Sequence, residues 1–233
     1  MVKLLKKTLL LLIVLLNLQI FAFAQSNYER TNLWEKEIAA FAAADKKESP
    51  SKGKVLFVGS SSIRGWRTLR EDFPGFYTLN RGFGGSHLED VNFYAPQIVT
   101  PYKPQLIVLY AGENDIVAGK LVEGVYDDYK KFVSIVRKKL PKTRLIFVSL
   151  KPSPSRWEFA PKFKELNALI KTHTETDKHL LFVDVWSPML DADGEPKKNI
   201  FQADNLHLND EGYRIWRKTL LPFIKTGFKG NFR

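Results

Sequence analysis

From Lys54 onward the chain alternates between short apolar runs and longer stretches in which apolar residues recur every three or four positions. The runs are Val55 to Val58, Tyr77 to Asn80, Leu106 to Tyr110 (LIVLY), Leu145 to Leu150 (LIFVSL) and Leu180 to Val183 (LLFV). They are near-continuous, without the polar alternation of a half-wet strand, and so predict strands covered on both faces. Helical spacing occupies Val122 to Leu140, which Pro141 stops, then Phe159 to Thr176 and Leu208 to Ile224. Ahead of this region, Leu33, Trp34, Ile38 and Phe41 share one face of a predicted helix over Thr31 to Ala44. The charged stretch Asp45 to Gly53, with Ser49-Pro50-Ser51, reads as a loop.

Strand–helix alternation implies parallel βαβ units with right-handed crossovers. Five such strands give an α/β fold, a flavodoxin-like three-layer α/β/α sandwich around a five-stranded parallel sheet. In sheets of this kind ligands occupy the crevice beyond the carboxyl ends of the strands. The residues just after each run are therefore where chemistry is expected. They are Gly59-Ser60-Ser61-Ser62, then Asn80-Arg81-Gly82-Phe83-Gly84-Gly85, then Ala111-Gly112-Glu113-Asn114-Asp115, then Lys151 to Trp157. Asp204-Asn205-Leu206-His207 precedes the last helical stretch.

The 233 residues suit one domain with short extensions. The N-terminus is expected to be a leader. Lys3, Lys6 and Lys7 precede a mostly apolar run from Leu9 to Phe23, and Ala22-Phe23-Ala24 is a small-x-small cleavage signal. The expected division is 1–24 signal peptide, 25–53 N-terminal helix and linker, 54–225 main domain and 226–233 C-terminal tail. Asn17 and Gln19 interrupt the apolar run, against a membrane anchor that stays in place after export. The expected location is thus periplasmic or secreted. There is no cysteine, which excludes a lipid anchor, a thiol nucleophile and a thiolate metal site. The net charge of +11 becomes +8 without the three leader lysines, which suits anionic glycans or membrane surfaces. No nucleic-acid recognition motif is present. Asp191-Ala192-Asp193-Gly194 resembles the start of a calcium loop, but the remaining ligands are missing, so it reads as a turn and no metal site is expected.

Serine-based acyl transfer needs a base within hydrogen-bond reach, a carboxylate to orient that base, and donors for the oxyanion. Asp204 and His207, three apart, supply carboxylate and imidazole; Asn114 supplies an amide; Gly85 offers an unobstructed backbone N–H. A serine after the first strand would open a helix, with its own N–H facing the site. The elbow Gly-x-Ser-x-Gly fails at Ile63, and Arg64-Gly65-Trp66 does not complete a phosphate-binding loop. Four blocks in order resemble the SGNH hydrolases, the GDSL esterase/lipase family, over roughly Lys54 to Ile224. They are Gly59-Ser60-Ser61-Ser62, the glycine-rich NRGFGG ending at Gly85, Gly112-Glu113-Asn114-Asp115, and Asp204 with His207. Trp66 falls where many members have a tryptophan, and Ser60 stands where the family usually has aspartate.

The resemblance implies Ser61 as nucleophile, His207 as base and Asp204 as its partner. It implies an oxyanion hole from the N–H groups of Ser61 and Gly85 and the Asn114 amide, and it implies no cofactor. Glu113 matches a variable position, and Asp115 is expected to support the asparagine loop. Arg156 and Trp157, with Trp186 after the fifth strand, are candidates to hold a sugar ring or a leaving group. His87, His173 and His179 read as surface or structural residues, with His87 near enough to touch substrate. Three readings follow: an exported esterase for small acyl esters, acetylated carbohydrate included; a lysophospholipase-like hydrolase of longer chains; and a silent binding protein on the same fold. The oligomeric state has no sequence signal.

Overall fold

A computed structural model describes residues 33–48, 50 and 55–227. The leader expected over 1–24 and its cleavage point lie outside the described residues, as do 51–54 of the linker and 228–233 of the tail. The chain divides into two compact units, 1–40 and 41–233. The described part of the first holds a turn at Leu33-Trp34 and the opening of helix α1 (Glu35–Lys47). There the Ile38 N–H donates to the Trp34 carbonyl at 2.9 Å, and both side chains are buried. The expected loop from Asp45 starts too early. The helix runs on through Asp45-Lys46-Lys47, whose lysines complement the negative end of the helix dipole.

The second unit carries the sheet. Its strands are β1 (Val55–Gly59), β2 (Thr78–Gly82), β3 (Leu106–Tyr110), β4 (Arg144–Val148) and β5 (Leu180–Val183). All pair in parallel, in the order β2-β1-β3-β4-β5. That order places β1 and β3 side by side at the reversal of strand order, where a crevice opens beyond their carboxyl ends. β1 and β3 are buried at every position, which is why they read as continuous apolar runs. β2 is shifted from the expected Tyr77 to Asn80, since Tyr77 takes a left-handed backbone (φ 45°) that ends a turn before the strand begins. β4 starts one residue earlier than expected and stops at Val148. Ser149 still donates its N–H to the Val183 carbonyl of β5 at 2.9 Å, while its Oγ accepts the N–H groups of Val185 and Trp186.

The remaining helices are α2 (Ser61–Arg64), α3 (Leu69–Asp72), α4 (Leu88–Ile98), α5 (Glu113–Val117), α6 (Val122–Lys139), α7 (Ala160–Thr174) and α8 (Asp210–Gly227). On one face of the sheet, Phe57 and Tyr110 meet Trp66, Phe73 and Trp216, with ring centroids 4.8–5.7 Å apart. On the other face Phe147 of β4 meets Tyr129 of α6 edge-on at 5.4 Å. Trp66 and Trp216 are both fully buried, and each such ring contributes on the order of 2–3 kcal/mol by leaving water. α4 was not expected from periodicity. It contains Pro96 and buries Asp90 and Asn92, so its apolar stripe is broken.

Candidate active site

Ser61 owes its place to Gly59. The last residue of β1 has φ 136°, and a β-carbon there would lie 1.9 Å from the Tyr110 carbonyl oxygen, so only glycine fits. The close approach lets the Ser60 N–H donate to that same carbonyl at 3.0 Å and turns the chain sharply off the strand. Ser60 is buried and opens α2 with its carbonyl, which accepts from the N–H groups of Ile63 and Arg64. Ser61 is the first residue of that short helix and is half-buried. Ser62 is buried, and its carbonyl accepts from the Tyr213 hydroxyl at 3.0 Å.

The imidazole arrives from the loop before α8. His207 Nε2 stands 3.0 Å from Ser61 Oγ, and His207 Nδ1 stands 2.5 Å from Asp204 Oδ2. Asp204 does not cap α8, whose first turn is instead served by Asn209 Oδ1 through the Gly212 N–H. The other Asp204 oxygen accepts the N–H groups of Leu206 and His207, both at 2.9 Å, and so folds the turn that carries the ring. Burial works against the Asp204 charge, but the hydrogen bonds from His207 and Leu206 prevail and hold its carboxyl down at about 2. The turn is anchored by a 2.7 Å bond from the Gln202 N–H to the His207 carbonyl. Asn205 takes the left-handed conformation at φ 55°, which asparagine tolerates, and its carbonyl accepts from Ser155. The ring and carboxylate remain open to solvent, with 35% and 46% of their side chains exposed.

Two further loops, tied to each other, carry the remaining expected residues. Gly85 has φ 73°, and a β-carbon built on it would meet nothing within 4 Å. Asn114 lies in the first turn of α5; its Nδ2 donates to the Ser86 carbonyl at 3.0 Å, tying its loop to that of Gly85. The adjacent Asp115 makes a second tie, its Oδ1 accepting the Leu88 N–H at 2.9 Å. Asp115 is buried, its Oδ2 has no hydrogen-bond partner, and burial pushes the carboxyl up to about 7. His87 is buried at the start of α4, where its N–H donates to Asp90 Oδ2 at 2.7 Å.

Behind Asn114 lies a set of charges that residue-by-residue reading passed over. Glu113, matched to a variable position, is buried and accepts from Lys151 Nζ at 2.8 Å and from the Tyr110 hydroxyl at 2.5 Å. Lys151 and Tyr110 are buried as well. Burial opposes the Glu113 charge, but Lys151 and Arg156 outweigh it and lower its pKa. Burial likewise lowers that of Lys151, against the pull of Glu113, and burial together with Glu113 raises that of Tyr110 well above its ordinary value. The available signal was a lysine and a glutamate of opposite charge directly after two runs that prove to be neighbouring strands.

Arg156 lies in a 3-10 segment, Pro154–Phe159, and its guanidinium donates to Asn114 Oδ1 at 2.9 Å. Trp157 is half-buried and stacks on the buried Trp186 at 5.8 Å, along a cleft of about 710 Å³ that also involves Pro154, Asp191, Glu195 and Lys197. The Asp191 carboxylate is turned back onto the N–H groups of Asp193 and Glu195, each at 3.0 Å, as a turn would have it. His173 faces Tyr126, its Nδ1 3.1 Å from that hydroxyl, and belongs to the packing between α6 and α7.

A parallel sheet in this order, with serine, imidazole and carboxylate aligned beyond its carboxyl edge, is an α/β fold of the type in which such sites lie at the strand ends. The chain belongs to the GDSL-like Lipase/Acylhydrolase family, whose model matches residues 52–215, and it is a carboxylic ester hydrolase of that family. Among curated proteins it is similar to the GDSL esterase/lipase WDL1 of Oryza sativa subsp. japonica, 25% identical over 211 residues, covering 76% of this chain and 80% of that one. Among solved structures it resembles a GDSL-like lipase from Bacteroides thetaiotaomicron, at a TM-score of 0.72 and 22% identity, covering 82% of this chain and 98% of that one. An acetylxylan esterase from Geobacillus stearothermophilus, solved as a catalytic mutant, aligns at a TM-score of 0.60 and 14% identity over 75% of this chain and 96% of that one. Among the described residues no helix is long and apolar enough to cross a membrane.

Proposed function

We propose that the protein is an exported serine esterase that removes small acyl groups, acetyl groups on carbohydrate above all, through a Ser61–His207–Asp204 triad. The observation that carries this reading is the unbroken line from Ser61 Oγ through the imidazole to the Asp204 carboxylate, at 3.0 and 2.5 Å. In the first step Oγ attacks the ester carbonyl and His207 Nε2 takes the hydroxyl proton. The N–H groups of Ser61 and Gly85 and the free N–H of the Asn114 amide receive the oxyanion. The bond to the alcohol breaks, His207 returns the proton to the leaving oxygen, and an acyl-Ser61 remains. Water then attacks the acyl carbonyl, giving its proton to His207, and Oγ leaves with that proton as the carboxylic acid departs.

Exposure of the imidazole and carboxylate argues for a short acyl group on a large alcohol that stays in solvent. The half-open Trp157 ring, next in sequence to Arg156 and lining a cleft, suits a pyranose, whose apolar face stacks on indole. That the same fold serves an acetylxylan esterase supports the same substrate class. The leader read from 1–24 supports export, and N-terminal sequencing of the secreted chain should begin at Gln25.

The test is turnover of p-nitrophenyl acetate, of esters up to dodecanoyl and of acetylated xylo-oligosaccharides, beside Ser61→Ala. The variant should keep its circular dichroism and lose roughly 10⁴- to 10⁶-fold in kcat. Preference for long acyl chains would move the assignment to a lysophospholipase-like enzyme. Equal activity of the two proteins would remove Ser61 as nucleophile. Silence of the wild type on every ester would leave a binding protein on this fold.

A further inference from the structure

The Asn114 side chain is fixed at both ends. Its Nδ2 faces a carbonyl, that of Ser86, and its Oδ1 faces a guanidinium, that of Arg156. A carbonyl can only accept and a guanidinium can only donate, so the amide cannot flip, and one of its two N–H bonds stays available. Arg156 Nη1 is in turn 3.9 Å from Glu113 Oε2, whose carboxylate already holds Lys151 and the Tyr110 hydroxyl. Glu113 and Lys151 are 4% and 1% exposed at their side chains and Arg156 is 16% exposed. The Glu113 carboxylate thus faces two cations, the buried Lys151 and the half-buried Arg156.

A buried ion pair of this kind is costly to assemble and is often no more stable than an apolar replacement. Packing alone therefore does not account for its presence at this position. We infer, resting on the reading of Asn114 as an oxyanion donor, that Arg156 is a positioning residue. It holds and polarises the Asn114 amide; the Glu113 carboxylate holds it in turn, and Lys151 holds Glu113. A hydrogen bond accepted at the amide oxygen draws electron density from the nitrogen and makes the opposite N–H a stronger donor. The ammonium of a lysine lacks the planar fork that spans Asn114 and Glu113 together. Arg156, a candidate for substrate contact by sequence, is on this inference one residue removed from the substrate.

The experiment is a double-mutant cycle in the full-length mature enzyme on p-nitrophenyl acetate, with Arg156→Met, Asn114→Ala and the pair together, each checked by thermal melting. Asn114→Ala should cost about 10²–10³ in kcat, as for other oxyanion donors. Arg156→Met, which weakens the donor without removing it, should cost less, on the order of tenfold in kcat, with KM unchanged. In the Asn114→Ala background the Arg156→Met substitution should have no further effect. Arg156→Lys should fall between, and millimolar methylguanidinium should restore part of the kcat of Arg156→Ala.

A rise in KM with kcat intact would make Arg156 a substrate contact and overturn the inference. So would an Arg156→Met loss that multiplies fully with that of Asn114→Ala. An Asn114→Ala enzyme with full activity would overturn it as well. Failure of the serine-esterase reading, on which the role of Asn114 itself depends, looks different: Ser61→Ala would then be as active as the wild type, or no ester would turn over at all.

Discussion

Asp204 does two things with its two oxygens, and a single atom change separates them. Oδ1 folds the turn through the N–H groups of Leu206 and His207, while Oδ2 takes the imidazole. In an Asp204→Asn variant the amide could still accept at Oδ1, but it would present an NH₂ group to Nδ1. The ring would then carry its proton on Nε2, facing Ser61, and could not take another. Asp204→Asn should therefore leave the melting temperature nearly unchanged and lower kcat. Where such a carboxylate is buried the loss is about 10⁴. Here nearly half the side chain is open, so water can relieve part of the wrong tautomer, and a loss of roughly 10²–10⁴ is expected. A loss below about tenfold would mean that the loop alone sets the ring. Because the carboxyl is held down at about 2, its own protonation does not limit activity anywhere above about pH 4.

At the scale of elements, β2 departs from the expected two-sided cover, being an edge strand with Asn80, Arg81 and three half-buried positions, whereas β1, β3 and β4 were legible because a strand covered on both faces has little room for polar residues. The strand ends were not, since Tyr77 and Ser149 are set by a turn and by a hydroxyl bond to β5's successor residues. α4 escaped because two of its polar residues point inward, Asp90 to the His87 N–H and Asn92 to the Asp128 carbonyl at 3.0 Å, partners that no periodicity reveals. The same limit applies to the end of α1. Arg81 of β2 is buried and bonds Asp45 of α1, and its Nε donates to Tyr102 Oη at 2.9 Å. The Phe41 and Tyr102 rings each lie 4.8 Å from its guanidinium carbon, and Tyr102 in turn donates to Asp45 at 2.5 Å. Asp45 is thereby drawn into the helix, although by sequence it opened a loop. Breaking one side of a buried pair costs about 3–5 kcal/mol, and Asp45 keeps some water contact, so Arg81→Ala should fall at the low end. For a chain of this size that is a drop of roughly 6–12 °C in melting temperature. With the triad untouched, kcat at 25 °C should stay within about twofold. A melting temperature within 2–3 °C of wild type, about 1 kcal/mol or less, would show that the clasp adds nothing.

For the whole molecule the question is how the stability responds to its buried charges. Ser61, Asn114, Asp204 and His207 stood out in the sequence because acyl transfer restricts residue type and order. Lys151 and Glu113 did not, because their pairing depends on β3 and β4 lying side by side. Nor did Asp115, whose cost depends on burial. Glu113 is compensated by a cation, whereas Asp115 Oδ2 has no partner. The folded state therefore holds the Asp115 proton up to about 7, while the unfolded chain releases it near 3.8. Between those values the folded state binds the extra proton, so stability is full below about pH 4 and falls as pH rises through 7. The displacement corresponds to on the order of 4 kcal/mol at most, or roughly 8–16 °C. Asp204 and Asp177 act with the opposite sign, since their carboxyls are held below the ordinary range. Their contribution is complete above about pH 4 and lost only below it, so the two windows do not overlap. Thermal melts from pH 4.5 to 8 should thus show wild type losing stability as the pH rises. Asp115→Asn keeps an acceptor for the Leu88 N–H but cannot ionise, so its melting temperature should lose this fall and keep only a small rise toward pH 6.5 from His173, whose pKa burial lowers. Parallel slopes for the two proteins would place the pH response elsewhere and mean that Asp115 is ionised in the folded state well below pH 7.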